Sequence, residues 1–273
     1  MEGGSERVSV TTLSLMSIEH AACSGVLLGY SRTWRAFAPI GGGYMVTRDD
    51  LGKLGARFPG ITLELAGHWR DRLEGAGIAP LHQTERALQL RMGDAVGAFG
   101  LIAKEQRVSG KDAGVVDAKF WVGPAQREDL VAGFAGREYG ISPRRAQRIE
   151  LVEELGFDED DSYGVAPAAL LESGLAVEDE GAFTRRAEYS RNRGAMTTYV
   201  DLTTRARFSG GLLELVAQTA KFRRRRFARP ELAVITVDDE EIRAGRVRGK
   251  DASWPVSPTV AALMRAGRPA AGR

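Results

Sequence analysis

The chain has 273 residues, of which 43% are hydrophobic and 27% charged, the composition of an ordinary globular protein with a sizeable core. Its 38 basic and 36 acidic residues leave a formal net charge of only +2, which argues against a protein whose whole surface binds a polyanion. Cys23 is the only cysteine, which excludes an intramolecular disulfide and a cysteine-rich zinc site and suits a reducing cytosol.

The first ten residues, MEGGSERVSV, lack a basic segment followed by an apolar core, so we expect no signal peptide. The apolar runs elsewhere are too short to span a membrane, so we expect no membrane partner. Together these features predict a cytoplasmic protein.

The first third of the chain contains one clear helix signal and two less specific patterns. Residues 7–30 alternate at first and then become continuously apolar, which leaves strand and helix both open. The sequence TRDDLGKLGARF, from Thr47, predicts a capped helix with acids in its first turn. Residues 61–75, ITLELAGHWRDRLEG, predict an amphipathic helix that ends at glycine.

The middle of the chain predicts a hairpin followed by helices. Residues 94–106 and 115–122 have the character of two strands, joined by the polar turn RVSGKDAG. A helix follows over 123–140, with Pro124 near its start. Further helices are predicted over 143–155 and 166–174, and the charged segment 178–196 is predicted to be a mobile loop.

In the C-terminal part, three strands are predicted over 212–220, 231–237 and 241–247, followed by a final helix. Four arginines, Arg223 to Arg226, lie between the first two of these segments. Flanking phenylalanines would suit a nucleic-acid grip, but a polar connection between strands is needed there in any case. We therefore expect the arginines to form an exposed hairpin tip. The tail at 268–273 is expected to be disordered.

A similar order of elements occurs twice along the chain. In each half a strand pair is followed by a tryptophan, a proline and an apolar helix, and Trp121 and Trp254 fall in equivalent places. This repeat predicts an α+β fold with two pseudo-symmetric halves, about 1–140 and 141–267, each an antiparallel sheet with packed helices.

The histidines do not form a recognisable metal motif. His20, His68 and His82 lack the tight spacing of a helical ligand pair, and structural histidines are far more common. We expect no metal and no cofactor.

A Mg²⁺-dependent nuclease is one alternative function. Asp117 and Lys119 form an Asp-x-Lys pair on a predicted strand, with Asp94 upstream and Gln126 on the next helix, as in many restriction-like nucleases. However, an ordinary alternating strand also places Asp117 and Lys119 on its solvated side, and such short motifs arise often by chance.

A DNA-binding regulator is a second alternative. Residues 134–149, FAGREYGISPRRAQRI, have the form of a helix-turn-helix, whose second helix carries Arg144, Arg145, Gln147 and Arg148. The same pattern is also a common way to join any two helices, with Ser142 as the N-cap.

The C-terminal stretch has a distinctive order of residues: small glycines, a predicted strand, an arginine run, an apolar strand, a tryptophan, a proline-containing turn and a final helix. The residues that define this order are Gly210, Gly211, Arg223 to Arg226, Leu232, Ala233, Trp254, Pro258 and Leu263. In this order the stretch resembles the end of the EspG family, the cytoplasmic substrate chaperones of type VII (ESX) secretion in actinobacteria.

The resemblance implies a non-enzymatic, single-domain α+β protein over residues 1–267 that binds a secreted helical protein, such as a PE/PPE-like or WXG-like substrate, and keeps it soluble. Such binding needs an exposed apolar patch rimmed by charge. Two contact regions are expected. One is the loop RVSGKDAG between the predicted strands at 94–106 and 115–122, and the other is the pair of helices at 126–155. The expected partner-binding residues are Arg107, Val108, Lys111, Arg127, Leu130, Arg144 and Arg148.

Overall fold

The computed structural model describes residues 5–31, 35–103, 114–155, 167–190, 195–225, 234–248 and 253–266. In these residues helices accompany a large antiparallel sheet, which confirms the predicted α+β class. The described strands, in chain order, are β1 (Glu6–His20), β2 (Cys23–Ser31), β3 (Ala36–Pro39), β4 (Met45–Val46), β5 (Thr62–Ala66), β6 (His82–Gln83), β7 (Ala87–Arg91), β8 (Val116–Asp117), β9 (Lys119–Val122), β10 (Leu175–Ser190), β11 (Ala195–Phe208), β12 (Val234–Val237), β13 (Arg246–Arg248) and β14 (Ser253–Pro255).

Helices occur in both halves of the sequence. Those in the described residues are α1 (Arg48–Arg57), α2 (Arg70–Gly75), α3 (Met92–Gly97), α4 (Phe99–Ile102), α5 (Pro124–Ala135), α6 (Pro143–Leu155), α7 (Pro167–Gly174), α8 (Gly210–Arg225), α9 (Asp239–Ala244) and α10 (Pro258–Ala266). Over the described part of the chain, none of them has both the length and the apolarity that crossing a bilayer requires.

The chain forms two compact units, each assembled from three separate stretches. The first unit comprises Met1–Thr12, Gly42–Ser142 and Gly181–Leu202, and the second comprises the stretches Leu13–Gly41, Pro143–Glu180 and Thr203–Arg273. The predicted halves, about 1–140 and 141–267, are by contrast continuous in sequence. Their relationship by duplication stays a prediction.

The sheet of the first unit has one apolar and one polar face. Its strands follow the order β10–β11–β1–β9–β5–β7–β6. Because side chains alternate along a strand, Val8, Leu63 and Phe120 share the apolar face, and all three are fully buried. Helix α5 packs on that face, where the ring of Phe134 stacks on Phe120 with centroids 5.6 Å apart.

The core of the second unit is centred on β2. This strand pairs antiparallel with β1, β3 and β12, so its backbone is hydrogen-bonded on both edges. Leu28, Phe37, Ile235 and Val260 belong to one buried apolar cluster of this unit. The cluster joins β2, β3 and β12 to α10.

Several predicted elements are confirmed. Helix α1 is capped by Thr47, whose hydroxyl accepts from the Asp50 backbone N–H at 3.3 Å while the Asp50 carboxylate accepts from the Thr47 N–H at 3.0 Å. This reciprocal pair is the capping box that the sequence predicts. Helices α5, α6, α7 and α10 and the strands β9 and β12 also occur where they were expected, and residues 7–30 form β1 and β2.

Two predicted strands are wrong, and in the helices that replace them the buried residues repeat with helical spacing. Residues 92–102 form α3 and α4, in which Met92, Ala95, Phe99 and Ile102 are buried. Residues 212–220 belong to α8, which buries one face through Leu212, Val216, Ala217 and Ala220. The strand that the EspG pattern implies after Gly210 and Gly211 is therefore a helix here.

The expected hairpin tip at the arginine run is also wrong. Arg223, Arg224 and Arg225 complete the last turn of α8, and Arg226 lies outside the described residues. The segment 241–247, predicted as a strand, begins within α9 because Asp238 and Glu241 form a second capping box. Gly245, at φ +68°, ends that helix before β13.

The predicted loop at 178–196 and the predicted helix at 61–75 are wrong as well. Strands β10 and β11 account for the described residues of the first segment. The second segment divides into β5, a short 3₁₀ turn at Gly67–Trp69, and α2. Pairing with β7 and β9 holds β5 extended, which overrides its weak helical pattern.

We predict that Gly140→Ala destabilises the protein much more than Gly60→Ala. Both glycines have positive φ, +94° and +85°, so each alanine adds left-handed backbone strain of about 1 kcal/mol. Only at Gly140 would the new Cβ also lie 2.3 Å from a Tyr44 ring carbon and 2.8 Å from the Met45 carbonyl oxygen. Such overpacking adds about 1–3 kcal/mol.

Urea denaturation of the two variants and the wild type would measure this difference. The open space around Gly60 makes Gly60→Ala the control for backbone strain alone. Equal losses of unfolding free energy in the two variants would contradict the tight packing of Gly140 against Tyr44.

Candidate functional site

The first unit carries an open groove of about 760 Å³ lined by α5, β10 and β11. Its lining residues come from one face of the helix and from the two strands. They are Arg127, Glu128, Val131, Ala132, Ala135, Thr184, Arg185, Met196 and Thr198. We call this surface the α5 groove.

Helix α5 contributes a small, mostly apolar stripe to the groove. Glu128, Val131, Ala132 and Ala135 are spaced i, i+3, i+4 and i+7, so they lie along one face. The opposite face buries Leu130 and Phe134 in the core. The helix therefore has one buried apolar face and one outer stripe, in which Val131, Ala132 and Ala135 are apolar.

The strands contribute a large exposed apolar side chain. Met196 on β11 is 43% exposed and lies in the groove. An unbranched thioether adapts its shape to different partners, which is why methionine is common on surfaces that bind apolar helices. Met196 and the α5 stripe together give the groove an apolar lining.

Arg127 forms one charged part of the groove. Its guanidinium lies 2.7 Å from the Glu6 carboxylate and 3.4 Å from that of Glu128. The hydrogen bond with Glu6 raises the pKa of Arg127 above its ordinary value. The cation is thus held in place beside the apolar stripe.

Arg185 is held by a buried carboxylate. Its Nε and Nη2 donate to the two oxygens of Asp201 at 2.5 and 3.1 Å, and Asp201 is fully buried. Thr11 donates its hydroxyl to the same carboxylate at 2.5 Å. The guanidinium also lies 4.3 Å from the ring centroid of Tyr199. This network fixes the β10–β11 side of the groove.

Of the predicted partner-binding residues, the structure places Arg127 in the α5 groove. Leu130 is fully buried on the inner side of α5, and its role in partner binding stays a prediction. Arg107, Val108 and Lys111 lie outside the described residues.

Arg144 and Arg148 lie on α6 of the second unit, where both contact Glu172. Arg144 donates to the Glu172 backbone oxygen at 2.8 Å, and Arg148 donates to its carboxylate. Gln147, the expected base-contacting residue between them, is fully buried. The burial of Gln147 removes this side chain from the exposed face that a recognition helix presents to DNA.

The nuclease residues do not form a metal site within the described residues. The Lys119 ammonium lies 2.7 Å from the Asp117 carboxylate, so the two side chains neutralise each other. Asp94 lies on α3, which was predicted as a strand, and Gln126 on α5. Across the described ranges, no three His, Cys, Asp or Glu side chains come together as potential metal ligands.

Cys23 and His20 are close in the β1–β2 hairpin but do not form a nucleophilic pair. The Cys23 thiol donates to the Ala217 carbonyl at 3.4 Å, and burial raises its pKa, opposed by smaller effects of Thr236 and Lys221. His20 accepts from the Ala22 N–H on Nδ1 at 3.0 Å, and its Nε2 lies 2.7 Å from Glu214. Both imidazole nitrogens are engaged, so neither activates the thiol.

Sequence reasoning missed the strand side of the groove. Met196, Arg185 and Asp201 fall in or beside the segment assigned to a loop because it is polar and charged. The run TTYVDLTT at 197–204 is rich in β-branched and aromatic residues, the composition that favours a strand. That signal would have placed these residues on a hairpin.

No protein-family model, curated protein or solved structure matches this chain. Function is therefore inferred from the chemistry and shape of the α5 groove and its surroundings.

We predict that Arg185→Met destabilises the protein more than Asp201→Asn. Arg185→Met leaves the Asp201 carboxylate buried without its cation, which costs about 3–5 kcal/mol for a broken buried pair. Asp201→Asn leaves a guanidinium that is 26% exposed and can bind water, so the loss is about 1–2 kcal/mol. Chemical denaturation of both variants measures the difference, and the reverse order would contradict the burial of this carboxylate.

We also predict that Cys23 is a slow nucleophile in the folded protein. Because burial raises its pKa, less thiolate is present near neutral pH. Alkylation by iodoacetamide, followed by intact-mass spectrometry, should be several-fold slower in the native chain than in the urea-unfolded chain. A native rate equal to or above the unfolded rate would show that Cys23 is activated.

Proposed function

We propose that the protein is a non-enzymatic binding protein that holds an amphipathic helix of a partner protein in the α5 groove, as a chaperone of a secreted helical substrate. The single observation that carries this proposal is the apolar outer stripe of α5 together with the exposed Met196 in one groove. The resemblance of the C-terminal stretch to the EspG family supports the same class of partner, a secreted helical protein of type VII secretion.

The side chains of the groove suit a helix better than a small molecule. Ala132 and Ala135 are small and exposed, so a partner helix can approach α5 closely. In helix-in-groove recognition the partner helix places apolar anchors at i, i+3, i+4 and i+7 in an apolar groove, and Val131, Ala132, Ala135 and Met196 provide such a lining.

The charges around the groove suit the polar edge of such a helix. Asp201 holds Arg185, and Glu6 holds Arg127, which also has a longer contact of 3.4 Å with Glu128, whose side chain is 86% exposed. A basic residue beside the apolar stripe of the partner helix would therefore meet Glu128. This ion pair would favour one orientation of the partner helix, because charges at the rim of an interface mainly set specificity and association rate.

Co-expression with candidate helical substrate pairs encoded near the gene tests this function. The wild-type chain should co-purify with its substrate as a stable complex. Ala132→Arg should abolish co-purification, because it places a long charged side chain in the middle of the apolar stripe. Isothermal titration calorimetry of the purified components then measures the loss of affinity, expected to exceed about a hundredfold for a blocked centre of the interface.

Asp129→Arg is the matched control, because it places the same side chain on an exposed position of α5 outside the groove. It should retain the wild-type affinity. If Ala132→Arg and Asp129→Arg bound the substrate equally well, the α5 groove would not be the binding site. If no helical substrate bound the wild-type chain, the chaperone function itself would be wrong.

A further inference from the structure

The first unit has a second cavity, separate from the α5 groove, of about 370 Å³. It is lined mainly by β6, β7, the turn between them and one aromatic residue of β9. The residues that matter here are His82, Thr84, Glu85, Arg86, Gln89 and Trp121. The volume lies within the range that encloses small organic ligands, about 300–1,000 Å³.

Trp121 is held in one orientation by buried charges. Its indole N–H donates to the Glu64 carboxylate at 2.9 Å, and Arg7 donates to both oxygens of Glu64 at 2.7 and 2.9 Å. The side chains of Arg7 and Glu64 are 5% and 2% exposed. Since the indole N–H is already bonded, the apolar ring face is what Trp121 offers to a ligand in the cavity.

The turn beside Trp121 is also preformed. The Thr84 hydroxyl accepts from the Arg86 and Ala87 backbone N–H groups at 3.3 and 3.1 Å, and Arg70 donates to the Thr84 carbonyl at 2.9 Å. Gly67 packs so closely that a Cβ there would lie 2.3 Å from the Glu85 carbonyl oxygen. A rigid turn loses little conformational entropy when a ligand binds.

The polar groups of the cavity are balanced in charge. Arg86 and Glu85 are adjacent and opposite, and the other polar residues are an amide, a hydroxyl and an imidazole. The Gln89 carbonyl oxygen accepts from the Thr62 hydroxyl at 3.3 Å, which orients its amide N–H₂ as a donor. A phosphate would need an excess of positive charge, so a neutral ligand with many donors and acceptors fits better.

From these observations we propose that the cavity binds the pyranose ring of a neutral carbohydrate. A pyranose has an apolar C–H face that can pack on the indole of Trp121, and hydroxyls at its edge that both donate and accept hydrogen bonds. Gln89, Glu85 and Arg86 supply complementary groups, whereas the Thr84 hydroxyl is used within the turn, where it also donates to the Ala87 carbonyl at 3.3 Å. This inference does not depend on the α5 groove or its partner.

Saturation-transfer NMR with glucose, galactose, mannose and N-acetylglucosamine tests the proposal. At least one of these sugars should receive saturation on its ring C–H protons from the wild-type protein, with a Kd of about 1–10 mM for so small a ligand. Trp121→Leu should abolish the transfer, because it removes the flat aromatic face. Gln89→Leu should weaken binding about five- to tenfold through one lost hydrogen bond.

Trp69→Leu is the matched control, since Trp69 does not line the cavity, and it should bind as the wild type does. Trp121→Leu removes one hydrogen-bond donor from Glu64 and could therefore fail to fold, which thermal melting would detect. In that case the binding measurement on Gln89→Leu decides the proposal. The proposal is overturned if none of the four sugars binds the wild-type chain, or if binding is unchanged in the cavity variants. It is also overturned if adenosine monophosphate binds in a Trp121-dependent way and the sugars do not.

Discussion

The strand side of the α5 groove depends on one electrostatic constraint: the buried carboxylate of Asp201 must be neutralised by a cation. Asp201 is completely removed from solvent, and a buried charge without a partner is strongly destabilising. Arg185 satisfies it from the neighbouring strand with two hydrogen bonds, and Thr11 adds a third. This network fixes the β10–β11 hairpin as a wall, so Met196 faces a stable opening.

Local signals in the sequence predicted the helix capped by Thr47 and the proline-initiated helices correctly, whereas the capping box of Asp238 and Glu241 was missed. The capping box at Thr47 and Asp50 acts within one turn, so it could be recognised without tertiary information. The errors concern segments whose burial depends on distant partners. Residues 92–102 and 212–220 are short apolar runs that fit either period, and only packing decides between them. Among the residues of the α5 groove, the sequence predicted Arg127. It did not predict Arg185 and Met196, because they lie in a charged segment that was assigned to a loop and whose ion pairs form only across the hairpin.

The polar and apolar faces of the first unit's sheet have different roles. The apolar face packs on the inner side of α5, which leaves the outer side of that helix to line the groove. The polar face buries the Arg7–Glu64 pair beneath Trp121 and carries the smaller cavity. Both candidate binding surfaces are therefore set by the alternation of side chains along the same strands.

The first unit is assembled from three separate stretches of the chain, and this determines when its parts become available during synthesis. The ribosome completes α5 well before it adds the strand residues that face it, because Gly181–Leu202 is the last stretch of that unit. A nascent chain that ends before Met196 therefore has the helix stripe without its opposing wall. The complete groove therefore forms only after the stretch that ends at Leu202 has left the exit tunnel.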